Sequence, residues 1–343
     1  MSIAFSWQGL PQYAARQLRP AIAQLGQSCA VIGTHPAVPI LGMEAALGQP
    51  IHWVEASRVV RWTDLGLATP TVFFQAGWSC PAFNALGDEV RAAGGKVCLL
   101  MDNDWRGDFR QWLGGLWFRL AWKRRVAAVL VPGISGRRLA RWYGFTDEEI
   151  AEGLYGADPA VFFDGPPLAA RPKRILFVGQ YIERKNCVGL AKAFASVAAR
   201  LPEWELHLYG SGPLQDKIPA HPRIKVHGFV QPAELGALYR SARIFALPSH
   251  SEAWGLVVHE AALSGCQLLL SATTGSRQDF ATQMNAAEFP AGDRDALAQA
   301  ILQLASSDDS TLERAQAKSR ALATTHGPAI FADRVAAIAK KLS

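Results

Sequence analysis

The sequence predicts an α/β protein built of two domains, each a parallel β-sheet flanked by helices. The chain has 343 residues, half of them hydrophobic and 19% charged, which suits two domains of about 150 residues with full cores. Short apolar runs recur along the chain and are closed by glycine, proline or polar residues, a pattern typical of buried parallel strands. Residues 243–271 give the clearest unit, a strand, a loop, a helix and a second strand.

The first half of the chain predicts alternating strands and helices. Residues 3–7 form the first expected strand, followed by a turn at Gly9 and a helix over 12–25. A glycine directly after a strand permits close approach of the backbone to a ligand or a partner domain, so Gly9 is a candidate cleft residue. The remaining strands and helices of this half are expected at 29–32, 51–54, 71–75, 96–101, 109–125 (helix), 127–131 and 135–143 (helix).

Three polar residues, Asp102, Asn103 and Asp104, follow the strand at 96–101. The carboxyl ends of the strands form the functional rim of an open α/β sheet, so these side chains are candidate site residues. The alternative is that they only cap the helix that follows. The sequence leaves both interpretations open.

The helix over 109–125 combines aromatic and basic residues. Tryptophans and cations together suit a membrane interface, where indoles lie at the headgroup level and cations meet anionic lipids. The alternative is an aromatic stripe that faces the core, with a solvated basic face. The aromatic and basic residues are Trp112, Trp117, Phe118, Trp122, Arg110, Arg119, Lys123, Arg124 and Arg125.

Residues 164–172 contain several prolines and glycines and predict a linker between the domains. The first domain is therefore expected over 1–163 and the second over 173–327, with a last helical segment over 328–343. The second half repeats the alternation of strands and helices. Its strands are expected at 174–179, 204–209, 224–230, 243–247 and 267–271, with a helix up to residue 200, another over 231–239 and three helical segments after residue 293.

The unit at 243–271 places an anion site beyond the end of its first strand. Free N–H groups at the start of the helix, around Trp254, Gly255 and Leu256, would point at a phosphate group. Glu252 lies in the loop and Glu260 well inside the helix, so the two carboxyls are not expected to share a proton. They are better placed to hold two groups on either side of a bound diphosphate.

This stretch resembles the donor-site signature of glycosyltransferase family 4. The resemblance rests on Pro248-Ser before Glu252, on Gly255, on the seven residues between Glu252 and Glu260, and on the Glu-Ala-x-x-x-Gly run that ends at Gly265. It implies the GT-B fold, in which two Rossmann-like domains face across a cleft, and transfer with retention of anomeric configuration. It also implies that Glu252 contacts the transferred sugar and Glu260 the ribose, rather than serving as a capping and a solvated glutamate.

The same resemblance extends over the strand ends of the second domain. Lys185 matches a lysine that grips the donor diphosphate, whereas Gln180 replaces the usual arginine after Gly179, and Arg184 is the nearest cation that would compensate. A lost cation at this point would cost charge stabilisation of the leaving phosphate. The other implied donor contacts are Gly210 and Gly212 in the Gly-x-Gly-Pro turn, and Phe229 and Val230 at the nucleobase.

In the first domain the resemblance is patchy. The glycine turn at Gly9 would face the cleft, although the paired glycines usual in the family are not present. Family members often carry a histidine near residues 102–104, and this chain has none there. Asp102 or Asp104 would orient the acceptor hydroxyl instead, with Asn103 on the same rim. The expected catalytic residues are therefore Glu252, Lys185 and Asp102.

Composition limits the partners and the compartment. The net charge of +6 favours an anionic partner such as a nucleotide sugar or an anionic lipid surface, and no nucleic-acid-binding signature is present. The five cysteines are scattered without a C-x-x-C pair, so buried thiols are expected and a structural zinc site is not. No metal or cofactor is expected. With no apolar run long enough to span a bilayer and no signal peptide, a cytoplasmic location is expected, either free or at the cytoplasmic face of the inner membrane.

The expected function is that of a retaining, hexosyltransferase-type glycosyltransferase. It would move a sugar from a UDP- or GDP-sugar to the hydroxyl of a glycan or lipid-linked acceptor, in surface polysaccharide or glycolipid assembly. Two alternatives stay open: a nucleotide-sugar epimerase of the same fold, and a non-catalytic protein that binds a nucleotide sugar or glycan. A dinucleotide oxidoreductase is disfavoured, because no G-x-G-x-x-G opens a helix after the first strand of either domain.

Overall fold

The computed structural model describes residues 2–26, 29–36 and 41–343. The chain divides into two compact units, one formed by residues 1–158 with 326–343 and the other by residues 159–325. The predicted end of the first domain, residue 163, lies a few residues after the observed boundary at residue 158. Each unit is an α/β layer structure with its own hydrophobic core.

The first unit is built on a parallel sheet that has seven strands in the described residues. These are β1 (Ile3–Trp7), β2 (Cys29–Gly33), β3 (His52–Trp53), β4 (Val72–Ala76), β5 (Lys96–Leu100), β6 (Ala128–Val131) and β7 (Ile150–Glu152), in the spatial order β3-β2-β1-β4-β5-β6-β7. The helices that connect them are α1 (Gln12–Leu25), α2 (Met43–Leu47), α3 (Pro81–Ala92), α4 (Phe109–Ala121) and α5 (Ile134–Trp142).

The second unit is built on a parallel sheet that has six strands within the described range 159–325. These are β8 (Arg174–Val178), β9 (Glu205–Tyr209), β10 (Ile224–His227), β11 (Ile244–Leu247), β12 (Gln267–Ser271) and β13 (Ala286–Phe289), in the spatial order β10-β9-β8-β11-β12-β13. Its helices are α6 (Cys187–Val197), α7 (Pro232–Arg240), α8 (Leu256–Leu263), α9 (Arg277–Phe280), α10 (Arg294–Ala305) and α11 (Asp309–Ala323).

The last helix, α12 (Pro328–Leu342), belongs to the first unit and packs on α1. Its buried side chains, which include Phe331 and Val335, join the core beneath β1. The buried side chain of Gln17 on α1 accepts a hydrogen bond from the backbone N–H of Gly156 and donates to the carbonyl of Leu154. The segment after β7 is thereby fixed to the same core as the last helix.

Each sheet reverses its winding at one point, between β1 and β4 in the first unit and between β8 and β11 in the second. At such a switch point the loops on either side diverge and leave a crevice beyond the carboxyl ends of the strands. The loops that follow β1 and β4 flank this crevice in the first unit, with the loop after β5 next to them, and the loops that follow β8 and β11 flank it in the second unit. These loops carry the candidate site residues.

Most predicted elements are confirmed to within a residue or two. β1, α1 and β12 have the predicted bounds, because apolar runs ended by a turn residue define them sharply. The helix predicted over 109–125 is α-helical only to Ala121 and ends in a 3₁₀ turn over Lys123–Arg125. The strand predicted over 51–54 has only two residues, because β3 is at the sheet edge and pairs with β2 alone.

All five cysteines are buried thiols, as expected from the sequence. Burial of the Cys29 thiol raises its pKa to about 11, so this group is protonated at neutral pH. Among the described residues, no helix is both long enough and apolar enough to cross a membrane.

Candidate functional site

Glu252 is the centre of a charged cluster at the switch point of the second unit. Its carboxylate is buried, and its Oε2 atom accepts hydrogen bonds from Lys185 Nζ, from Arg184 Nη1 at 3.2 Å and from Ser249 Oγ at 3.4 Å. The described residues donate no hydrogen bond to the second oxygen, Oε1. A carboxylate fixed through one oxygen in this way keeps the other available as an acceptor for a ligand.

The backbone around Glu252 is fixed on both sides. Glu252 N–H donates to the carbonyl of Thr273 at 3.3 Å, and Gly275 N–H donates to the carbonyl of Glu252 at 2.9 Å. Gly255 then turns the chain into α8 with a φ of 85°, and a Cβ there would lie 3.1 Å from Cγ of Glu252. Glycine at this position gives the carboxylate its space.

The loop after β8 is tied to the loop after β11. Lys185 ends a 3₁₀ turn, and Asn186, with a φ of 53°, is the N-cap residue directly before α6. The carbonyl of Arg184 accepts from the N–H of His250 at 2.8 Å, and Asn186 Nδ2 donates to the carbonyl of Pro248 at 3.2 Å. These bonds hold the two cations beside Glu252.

Two glycines after β9 allow close backbone contact with the loop after β8. A Cβ at Gly210 would lie 1.9 Å from the carbonyl oxygen of Gly179, and one at Gly212 would lie 2.6 Å from the carbonyl oxygen of Tyr181. Both positions have φ near 150°, a conformation that side chains disfavour. The predicted turn is therefore a packing requirement of this unit, whatever it contacts in a donor.

The other predicted donor residues differ in accessibility. Gln180 and Phe229 are exposed, and Val230 and Leu256 are half-buried. Trp254 is buried and its ring packs edge-on against Phe280 at 5.6 Å between centroids. The indole of Trp254 thus packs in the interior of the unit. Only the backbone of this residue is placed to contact a ligand.

Glu260 is buried on α8 and makes its hydrogen bond away from Glu252. The hydroxyl of Tyr239 donates to Glu260 Oε2 at 2.8 Å. Burial, only partly offset by that hydrogen bond, raises the pKa of Glu260 to about 7. The pKa of Glu260 therefore lies well above that of an exposed glutamate.

The switch point of the first unit contains a cavity of about 280 Å³. It is lined at the ends of β1, β4 and β5 by aromatic and polar side chains, and Tyr155 closes it from the segment after β7. The hydroxyl of Tyr155 donates to Asp102 Oδ2 at 3.1 Å. Residues lining the cavity include Trp7, Gln8, Trp78, Ser79, Asp102 and Asn103.

The structure separates the predicted rim residues of the first unit. Asp102 and Asn103 line the cavity, whereas Asp104 is buried and its carboxylate lies 3.5 Å from Nε of Arg106. The cap of α4 is Asp108, which accepts from the N–H of Gln111 at 2.7 Å. Gly9 has a φ of 57° and donates its N–H to Thr34 Oγ1 at 2.6 Å, outside the residues that line the cavity.

Sequence reasoning missed Tyr155, Trp7, Trp78 and Tyr239. Trp7 lies at the end of β1 and Trp78 follows the end of β4. The argument that selected Asp102, its position after the carboxyl end of a strand, would have selected them as well. Tyr155 and Tyr239 act through side-chain contacts between segments far apart in the chain, for which no local pattern exists. Within the described residues, no group of three or more His, Cys, Asp or Glu side chains is placed to hold a metal ion.

The comparisons with known proteins agree with this geometry. Residues 172–307 match the model of the family described as "Glycosyl transferases group 1". The structure is similar over its full length to HepE of Anabaena in complex with UDP and glucose, with a TM-score of 0.76, 16% identity and complete coverage of both chains. The chain has the GT-B fold. The match to the family model lies within the second unit.

Two further similarities extend this result. The sucrose-phosphate synthase of Thermosynechococcus elongatus is similar with a TM-score of 0.72 and 17% identity, covering 100% of this chain and 99% of that one. An uncharacterized glycosyltransferase of Methanocaldococcus jannaschii is 28% identical over 120 residues, or 33% of this chain. That match spans 30% of the relative's length.

Proposed function

We propose that this protein is a retaining glycosyltransferase of family 4. It transfers a hexose from a UDP- or GDP-sugar to a hydroxyl of a glycan or lipid-linked acceptor, in surface polysaccharide or glycolipid assembly. Structures similar to this chain contain UDP, UDP with glucose, or UDP-glucose, which supports a nucleotide sugar as the donor. A lipid-linked acceptor would bring this cytoplasmic reaction to the inner face of the membrane.

The observation that carries the proposal is the one-sided anchoring of Glu252. Three donors hold Oε2, and Oε1 receives no hydrogen bond from the described residues. An anchored carboxylate with a free oxygen is suited to accept a hydrogen bond from a sugar hydroxyl and fix the sugar's position. In a GT-B enzyme the sugar must be held while its bond to the diphosphate breaks, so orientation contributes directly to the rate.

Lys185 is placed to join the sugar and phosphate ends of the donor. An ammonium group has three N–H donors, and in the described structure that of Lys185 bonds to Glu252 alone. The remaining two are available to diphosphate oxygens. Arg184 reaches the same carboxylate with a half-exposed guanidinium, so it supplies positive charge near the position where Gln180 replaces the usual arginine.

Leaving-group stabilisation is then the main task of the second unit. Charge grows on the diphosphate as the glycosidic bond breaks, and Lys185, Arg184 and the start of α8 at Gly255 all favour that charge. We assign the ribose to Glu260, whose pKa is raised to about 7 by burial. Asp102 in the first unit would orient the acceptor hydroxyl. No side chain is assigned as a nucleophile, and the reaction is proposed to need no metal or cofactor.

The test is a donor screen with variants of the anchored cluster. UDP-, GDP- and ADP-sugars are screened by thermal shift, and each hit is followed by NMR for hydrolysis or transfer and for the anomeric configuration of the product. Lys185→Ala removes a preorganised donor and is expected to lower turnover at least about a hundredfold. Glu252→Ala removes the acceptor that positions both the sugar and Lys185, and a loss of about the same size is expected. The product of the wild type is expected to retain the donor's anomeric configuration.

Lys192→Ala is the matched control, because Lys192 is an exposed lysine on α6 in the same unit. It should leave turnover unchanged, and circular dichroism should show all variants folded. Release of an altered nucleotide sugar without an acceptor would indicate the epimerase instead. Donor binding without turnover, even with mixed glycan and lipid extracts, would indicate a binding protein and would make the exposed Gln180 the residue to explain.

A further inference from the structure

Helix α4 exposes large apolar side chains along one side. Phe109 is 73% exposed and Leu120 is 84% exposed, and four more side chains between them are also exposed. We define the α4 apolar face as these six residues. They are Phe109, Trp112, Leu113, Leu116, Trp117 and Leu120.

The periodicity of α4 explains why this face points away from the unit. At about 100° per residue, the six side chains fall within an arc of about 140°. The opposite side carries Gly115 and Phe118, which are buried, and Phe118 stacks on Tyr143 at 4.4 Å. A Cβ at Gly115 would lie 2.0 Å from Nε1 of Trp142, so the helix is seated firmly on α5. The aromatic stripe was one of two alternatives read from the sequence, and only part of it faces the core.

Basic residues flank the α4 apolar face. On the helical projection Arg110 adjoins Trp117 at one edge of the arc, and Arg119 adjoins Trp112 at the other. Arg124 follows in the next turn and is exposed. Neither Arg110 nor Arg124 forms an ion pair with the described residues, and residues 109–125 contain no acidic side chain.

We propose that the α4 apolar face docks on an anionic lipid surface, with α4 lying in the plane of the interface. Leucine and phenylalanine side chains would enter the boundary between headgroups and acyl chains, the indoles of Trp112 and Trp117 would lie at headgroup level, and the flanking arginines would meet lipid phosphates. This inference does not rest on the proposed function, since it concerns a surface outside both candidate sites.

The charge pattern favours a lipid surface over a protein partner or a second copy. A helix with cations on both edges and no acid would repel an identical helix, whereas anionic headgroups complement it along its whole length. The helix has 13 residues, which span about 20 Å, so it is too short to cross a hydrocarbon core of about 30 Å. Docking in the plane of the surface fits that length.

The test uses the full chain and vesicles of two compositions, phosphatidylcholine alone and phosphatidylcholine mixed with phosphatidylglycerol. The wild type is expected to co-sediment with the mixed vesicles. Leu113→Glu/Leu120→Glu should weaken binding more than about tenfold, because two apolar side chains are lost from the interface. Arg110→Gln/Arg124→Gln should weaken it about fivefold for each cation removed, and only on the anionic vesicles.

Matched controls change the same chemistry elsewhere. Met284→Glu places a carboxylate at another exposed apolar side chain, and Arg58→Gln/Arg200→Gln removes two other exposed arginines. Both are expected to bind vesicles as the wild type does. A second measurement needs no destabilising change: brominated lipids should quench the fluorescence of the wild type, and Trp112→Tyr/Trp117→Tyr should lose most of that quenching.

The proposal is overturned if the wild type does not bind the anionic vesicles, or if it binds them equally well after Leu113→Glu/Leu120→Glu. It is also overturned if the wild type is a dimer by light scattering, that variant is a monomer, and neither binds vesicles. That result would assign the face to a second copy of the chain. Circular dichroism confirms that each variant is folded before it is scored.

Discussion

The two sheets share the strand order at their centre, yet the residues at their switch points differ in kind. In the second unit the loops after β8 and β11 bring Lys185 and Arg184 to Glu252. One backbone hydrogen bond and one bond from the Asn186 side chain join these loops. In the first unit the corresponding crevice is an aromatic cavity in which Tyr155 donates to Asp102. The same topology thus supports a charged cluster in one unit and an aromatic cavity in the other.

The topology of the sheet fixes where a ligand can bind, and the loops fix which ligand binds there. A charged cluster needs loops in close contact, because several donors must converge on one carboxylate. Glycines make that contact possible in the second unit, because they have no side chain to keep the loops apart. An aromatic cavity needs bulk and open space, and a Cβ at Gly77, which lines the cavity, would meet no atom within 4 Å.

The largest expected effect contrasts glycines of the two units. Gly210→Ala would place a Cβ 1.9 Å from the carbonyl oxygen of Gly179, at a φ that disfavours a side chain. We expect it to lower the free energy of unfolding by about 4 kcal/mol, from overpacking and backbone strain together. Gly77→Ala in the first unit has a φ of 60° but meets no atom within 4 Å, and should cost about 1 kcal/mol. Urea unfolding followed by circular dichroism measures both.

Gly228→Ala is the control within the second unit, because a Cβ there also meets nothing within 4 Å and its φ is not positive. It should change the free energy of unfolding by a few tenths of a kcal/mol. If Gly210→Ala cost no more than Gly77→Ala, the close contact of the second unit's loops would not be a constraint, and the contrast between the units would fail.

Much of this architecture could be predicted from local pattern. Central strands such as β1 and β12 are continuous apolar runs, and their ends are marked by turn residues. Short edge strands were missed or overextended, because β7 and β3 pair on one side only and have no strong periodicity. Helix α3 was not predicted, although proline at its first position is a start signal.

The residues of the candidate site likewise include some that the sequence could predict and some that it could not. Lys185 and Glu252 could be selected from the sequence because their surroundings match a known motif, and the structure places them together. Tyr155 could not, since its role depends on a contact with Asp102 across 53 residues. The burial of Asp104 was equally inaccessible, because local sequence does not tell which residue of a polar run points inward.

The second prediction concerns Glu260 in the second unit and the pH dependence of the free energy of unfolding. The folded protein holds the pKa of Glu260 at about 7, against 4.5 for the unperturbed group. Below pH 4.5 the carboxyl is protonated in both states. As the pH rises to 7 the unfolded chain releases the proton first, so the free energy of unfolding falls by about 3 kcal/mol from this group. Glu260→Gln should remove that decline in urea titrations across this range.

Glu234→Gln is its control, because Glu234 is exposed on α7 of the same unit. That variant should keep the decline of the wild type. Tyr239→Phe removes a hydrogen bond that favours the charged carboxylate, so the decline should extend to higher pH. A pH profile of Glu260→Gln that parallels the wild type would show that Glu260 ionises normally in the folded protein.

The smallest expected effect concerns the cavity of the first unit. This prediction rests on the proposed transfer reaction. Tyr155→Phe removes the hydroxyl that donates to Asp102 while keeping the ring that closes the cavity. With its carboxylate less firmly held, Asp102 would orient the acceptor hydroxyl less well, and kcat/KM for the acceptor should fall about tenfold, the value of one hydrogen bond to a charged group. Hydrolysis of the donor in the absence of acceptor should not change.

Tyr143→Phe is the matched control, because Tyr143 is a buried tyrosine of the same unit whose side chain is not among those that line the cavity. The substitution keeps its ring, which stacks on Phe118 and meets the cavity residue Trp78 edge-on at 5.8 Å. It should leave both rates unchanged. The split between the two readouts decides the assignment, since a general loss of stability would lower transfer and hydrolysis together. If Tyr155→Phe lowered hydrolysis as much as transfer, the cavity would contribute to the chemistry of the donor. The assignment of the acceptor to the first unit and the donor to the second would then be wrong.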